Sequence, residues 1–78
     1  MEMTTLDRLP VGGRGLVVAV GTGEALRQRL AELGMVPGTK VTCRMTAPGG
    51  DPLAYGFRGT VIALRARDAG KIRCEVEE

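Results

Sequence analysis

The chain lacks histidine, tryptophan and serine altogether, and among its 78 residues it has two cysteines, one tyrosine and one phenylalanine. Without imidazole, histidine acid–base catalysis, histidine metal ligation and a charge switch near neutral pH are all excluded. Without serine, and with no base to activate Cys43 or Cys74, no hydrolase-type nucleophile can be assembled. The sequence therefore assigns no catalytic residue. The two aromatics, Tyr55 and Phe57, share one phase of a strand and are expected in the core. That leaves nothing exposed to stack a nucleic-acid base or to line a proline-rich peptide groove. Long apolar runs are absent too: the longest, Leu16 to Val20, is five residues, where a membrane span needs about 20. With Glu2 and Asp7 near the start, no targeting segment is read, and a cytoplasmic protein is expected.

What remains is enough for one small domain, residues 1–78. At this size a chain buries about 60% of its unfolded surface, so one core fits and a deep cleft does not. Eleven basic residues face nine acidic ones, but three of the acids are Glu75, Glu77 and Glu78; residues 1–74 carry eleven basic against six acidic residues. Nine of the basic residues are Arg, which favours planar, bidentate contacts to carboxylate or phosphate. Cys43 and Cys74 are far apart with no C-x-x-C spacing, and each falls in the apolar phase of a period-two alternation. Buried thiols are expected, in preference to a disulfide or a metal site.

Along the chain, Leu6 to Pro10 reads as one helical turn that places Leu6 and Leu9 on the core and is stopped by proline. Leu16 to Val20 is apolar on both faces, as expected of a strand covered on its outer side by the next element. Glu24 to Leu33 is the one amphipathic helix (about 24–33), with Leu26, Leu30 and Leu33 on its inner face. Gly34 has the composition of a left-handed stop and Pro37-Gly38 that of a type II turn. Val41, Cys43 and Met45 alternate as an inward face, as do Leu53, Tyr55 and Phe57, and Ile72, Cys74 and Val76. Val61 to Leu64 is a strand paired antiparallel to the one before it, and Arg65 to Gly70 a single tight helical turn. The expected fold is mainly β, about five strands closed into a small, strongly bent barrel, with twelve glycines supplying the corners. Gly21-Thr22-Gly23 has Leu26 where a dinucleotide fingerprint needs its third glycine. Gly38-Thr39-Lys40 reverses the order of a phosphate-binding loop, so both are read as turn chemistry and no cofactor is expected.

The order of motifs resembles the FeoA domains of bacterial ferrous-iron transport over Leu6 to Val76. The matching text is Leu6-x-x-Leu9-Pro10-x-Gly12, then Arg29-Leu30-x-Glu32-Leu33-Gly34-Met35-x-Pro37-Gly38-Thr39-x-Val41. It continues with Ala47-Pro48-x-Gly50-Asp51-Pro52, Gly59 with Ala63-Leu64-Arg65, and Ala69-x-x-Ile72. The resemblance implies an SH3-like small β-barrel acting in the cytoplasm as a non-enzymatic accessory of FeoB, the membrane ferrous-iron transporter whose cytosolic part binds GTP. It implies no membrane insertion and no nucleic-acid partner, and it leaves a weak homo-oligomer open. Gly49 departs from the family, which often carries a bulkier apolar residue there. With no histidine and only scattered carboxylates, no metal site is expected, and the module is not expected to carry iron itself. The alternative is an RNA- or ribosome-associated barrel, since Arg14, Arg44, Arg58, Arg65, Arg67 and Arg73 fall on strands or their ends.

A partner surface is sought at the helix stop and the loop at 47–52. Met35, Val36 and Pro37 come after Gly34 with no periodicity to force them inward; they either face a partner or plug the barrel end. Pro48, Asp51 and Pro52 either make the loop's turns, Asp51 through an Asx-turn, or touch the partner. Arg27, Arg29 and Arg65 are the cations available to a partner's acidic groups.

Overall fold

The computed structural model describes residues 2–77. Six strands form one antiparallel sheet: β1 (Met3–Thr5), β2 (Arg14–Val20), β3 (Lys40–Thr46), β4 (Leu53–Phe57), β5 (Thr60–Leu64) and β6 (Ile72–Glu77), in the order β1-β6-β2-β3-β4-β5. Helix α1 (Glu24–Leu33) joins β2 to β3, the four-residue α2 (Ala66–Ala69) joins β5 to β6, and a 3-10 turn, Leu6–Arg8, comes directly after β1.

Two expectations are corrected. The strand count is six, because Met3–Thr5 pairs with β6 in the register Met3↔Glu75, Thr4↔Cys74, Thr5↔Arg73. Three residues show no period of their own, and it is the long-range pairing that makes them a strand. The barrel is not closed: β1 and β5 end the sheet and form no ladder with each other. The sheet curls without closing, with register shifts in β2 between Val17 and Ala19 and in β3 between Cys43 and Met45. Such bulges bend a strand and increase its twist.

A bulge also accounts for one side chain that leaves the expected face: Met45 is 61% exposed at the register shift in β3, where strict alternation fails. Val18, on the outer face of β2, is 37% exposed, so the expected cover is missing at that position. Leu33, placed on the helix's inner face by its spacing, is 42% exposed, whereas Leu30 is buried and Leu26 partly so.

Elsewhere the period-two reading holds. Leu53, Tyr55, Phe57, Ile72, Cys43 and Cys74 are all buried with Leu6 and Leu9 in one core, and both cysteines are free thiols. Central strand β2 carries Gly15 opposite Val41 on one side and Val76 on the other. A Cβ at Gly15 would lie 2.8 Å from Cys74 Sγ and 3.3 Å from the Glu75 carbonyl oxygen. That position has room for a backbone and nothing more. Substituting Gly15→Ala is expected to destabilise the fold by about 1–3 kcal/mol through overpacking. Met45→Thr on the exposed side of the bulge is expected to stay within about 0.5 kcal/mol. Urea midpoints of the two variants check both.

Two acids of the core, Tyr55 and Cys74, are harder to ionise than in the free chain. Burial pushes the Tyr55 phenol far above its ordinary range, with Cys43, Asp7 and Cys74 nearby adding to the effect. The hydroxyl has no protein hydrogen-bond partner among the described residues. Burial also raises the Cys74 thiol, with Asp7 adding to it. In the unfolded chain these groups ionise near about 8.5 for the thiol and about 10 for the phenol. Above those values the folded state holds more protons than the unfolded one, so stability falls as pH rises. Denaturant midpoints are therefore expected to drop from about pH 8.5 upward, and Cys74→Ala to move the onset toward the tyrosine range.

Candidate functional site

The stop of α1 decides what the helix presents. Gly34 adopts the left-handed conformation (φ 107°), its N–H bonds to the Ala31 carbonyl at 3.0 Å, and the Met35 N–H reaches back to the Leu30 carbonyl at 2.8 Å. This is the Schellman arrangement, which brings the residue after the glycine against the helix's own last turn. Met35 accordingly lies in the core with Leu30, each 1% exposed. Of the two readings for Met35, the buried one is correct, and Met35 is no contact residue on the surface. Buried Thr39 locks the same turn: its hydroxyl donates to the Gly34 carbonyl at 2.8 Å and accepts from the Val36 N–H at 3.2 Å. Pro37 and Gly38 (φ 95°) then form the tight turn, closed by Thr39 N–H to the Val36 carbonyl at 3.0 Å.

Helix α1 thereby divides the expected site residues. On one flank Arg27, Met35, Val36 and Pro37 line a shallow depression of about 140 Å³ with Val20 and Ala31. Arg27 is already engaged, its Nη2 donating to both Glu24 carboxylate oxygens at 2.6 and 2.5 Å. That pairing holds the exposed Glu24 carboxyl below its usual range. On the other flank Arg29 and Arg65 stand on a larger groove of about 630 Å³ between α1 and β5. Its walls are Leu26, Leu30 and Leu33 from the helix and Ile62, Ala63 and Leu64 from the strand, with Asp68 at one end.

Pro48, Asp51 and Pro52 lie on the exposed β3–β4 loop, outside both depressions. Gly50 N–H to the Ala47 carbonyl and Ala47 N–H to the Pro52 carbonyl, 2.9 and 3.0 Å, close it. Asp51 does not make the expected Asx-turn. Its Oδ1 accepts from the Ala66 N–H at 3.0 Å, so the carboxylate caps the first turn of α2 across the fold and ties the loop to the Arg65 end of the groove.

The groove's apolar walls are not visible in the sequence because each half lies on a different element. Helical spacing assigns Leu33 to the core, and the apolar run at Ile62, Ala63 and Leu64 suggests a covered strand. The available signal is the charge-free text Thr60-Val61-Ile62-Ala63-Leu64 between Gly59 and Arg65. Among the described residues no three Cys, Asp or Glu side chains converge as metal ligands. The arrangement offers apolar contact, two guanidinium groups and a free strand edge, and it offers no nucleophile with a base.

The FeoA domain family model matches residues 4–76. A Porphyromonas gingivalis protein named as a fusion of Fe(2+) transport protein A and Fe(2+) transporter FeoB is 34% identical over 71 residues, 91% of this chain. The chain spans 8% of that protein's length. The solution structure of FeoA from Chlorobium tepidum superimposes with a TM-score of 0.90 at 33% identity, over 94% of this chain and 70% of that one. The crystal structure of Stenotrophomonas maltophilia FeoA complexed with zinc, described as a prokaryotic SH3 domain protein, gives 0.78 at 33% identity, over 95% and 89%.

Met35→Asp, which places a carboxylate in this core, is expected to cost about 3 kcal/mol or more and to lower the melting temperature markedly. Leu33→Asp, on the exposed groove wall, is expected to shift it by no more than about 2 °C. Thermal melts of the pair test the assignment of the two residues to core and surface.

Proposed function

The chain belongs to the FeoA domain family, and from that premise we propose that it is a non-enzymatic accessory module of bacterial ferrous-iron uptake. It binds and modulates the membrane Fe(II) transporter FeoB from the cytosolic side. The observation that carries this reading is the relative in which the two names share one polypeptide, since a fusion keeps two modules at high effective concentration. The residues agree with a binding role. The exposed chemistry is apolar side chains and unpaired Arg at the α1–β5 groove, and the two thiols are buried and unassisted. No helix among the described residues is long and apolar enough to cross a membrane, so the module meets the transporter by docking.

The RNA-binding alternative has less support. Tyr55 and Phe57 are 0% and 4% exposed, which leaves the Arg residues without an aromatic platform.

A tagged chain incubated with detergent-solubilised native membranes and cytosol, with and without nuclease, tests the proposal by mass spectrometry of the captured proteins. Recovery of the transporter, unchanged by nuclease, is expected. Leu33→Asp is expected to lower that recovery about tenfold, the effect of losing one buried apolar anchor. Ribosomal proteins that disappear after nuclease, with no transporter recovered, would overturn it.

A further inference from the structure

The open end of the sheet offers more than an apolar surface. Phe57 and Thr60 pair across the two-residue turn Arg58-Gly59, whose φ values of 50° and 77° are those of a type I′ hairpin. The closing pair of such a hairpin exchanges both backbone hydrogen bonds, and bonded pairs then alternate along the ladder. Ile62 and Leu64 therefore bond back to β4, while the N–H and C=O groups of Val61 and Ala63 point away from it. Among the described residues no backbone group of Thr60–Leu64 bonds to any element other than β4.

Protective devices are missing along this edge. The strand has no lysine, no proline and no register shift, the features that natural proteins place on exposed edges to stop pairing. Val61 is 60% exposed. The space beside the Ile62–Leu64 part of the edge is the α1–β5 groove, walled opposite by Leu26, Leu30 and Leu33, and Val61 lies just outside its lining. An extended segment laid there would pair with Val61 and Ala63 and turn alternate side chains onto the leucines.

We propose that the groove accepts one extended segment of the partner protein as an added strand on β5, with acidic residues of that segment meeting Arg29 and Arg65. The proposal rests on the accessory-binding reading above and specifies how that binding is made. Charge selects the occupant: Arg29 and Arg65 have no ion-pair partner among the described residues and outnumber Asp68, the one carboxylate on the groove. A second copy of this chain fits less well, because its own β5, Thr60–Leu64, carries no acidic residue to meet Arg29 and Arg65.

The test uses isotope-labelled chain and two capped nine-residue peptides in which Val alternates with Thr, one with Glu and one with Lys at both ends. Amide exchange followed by NMR is expected to slow about tenfold at Val61 and Ala63 with the Glu-ended peptide. That peptide is expected to bind about fivefold tighter than the Lys-ended one, a difference that Arg29→Ala with Arg65→Ala removes. Ala63→Pro deletes an N–H that has no partner within the fold, and proline is tolerated on an edge strand. The variant is expected to fold normally and to lose peptide binding. Slowed exchange at other amides, at neither amide, or unchanged peptide binding by Ala63→Pro would overturn the proposal. So would concentration-dependent slowing of Val61 and Ala63 in the free chain, which would make a second copy the occupant. The same variant separates the two readings. If wild type and Ala63→Pro capture the transporter equally, the added strand is wrong and the accessory role stands. If the wild type binds peptide at these amides but captures no transporter, the groove is right and the partner wrong.

Discussion

The sheet ends at β5. Everything distinctive about the surface stems from that failure to close, because a strand whose outer edge is unpaired leaves its outward backbone groups available. The failure has a structural origin. The central strands β2 and β3 each absorb an extra residue, at Val18 and at Arg44, and the resulting curl brings the sheet around the core of Tyr55, Cys43 and Cys74. It does not bring β1 and β5 together. Helix α1 packs Leu30 onto the open side, and its neighbours Leu26 and Leu33 are left facing β5 across a groove.

Close approach at the centre makes the curl possible. Gly15 sits where β2 passes over Cys74, and the cysteine sulfur occupies the volume that a side chain on β2 would need. Gly56 plays a lesser version of the same part on the outer face, where the Arg44 side chain lies over it with Cδ 3.2 Å from where a Cβ would be. Both cysteines therefore serve as small, dense core residues. Their burial, which raises the Cys74 thiol above its ordinary value, is an outcome of packing.

Most of the local structure is legible in the residues, and the parts that are not share one cause. The helix, its glycine stop, the Pro37-Gly38 turn and the inward phases of Tyr55 and Ile72 come from short-range rules. Met45 breaks its alternation at a bulge, which is set by pairing between strands distant in sequence. β1 exists only because β6 accepts it, and the open barrel depends on the same long-range register. Met35 is the exception. A Schellman stop implies a contact between the residue after the glycine and the last turn, so Gly34-Met35 after Leu30 already places Met35 inside. Helical periodicity, which ends at Leu33, carries no such information. At the candidate site, Arg29 and Arg65 are legible as available cations, but the leucines between them are hidden in an assumed core. Asp51 reads as a local turn residue because its partner, the Ala66 N–H, lies fifteen positions away.

The edge of β5 is short, and its length sets the kind of binding it can support. Val61 and Ala63 offer four backbone groups, each hydrogen bond contributing about 1 kcal/mol net. Apolar contact with Leu26 and Leu33 adds a comparable amount, and ordering an extended segment subtracts from the sum. What is left corresponds to dissociation constants of about 1 mM to 100 μM, weak enough for exchange on and off a partner. A tether changes the balance without adding a contact, since a flexible linker holds the second module at about millimolar effective concentration. An edge strand of this length is thus sufficient when module and transporter share one chain. A free-standing module of the same affinity depends on its own concentration, which makes its abundance the quantity that sets how much of a partner is occupied.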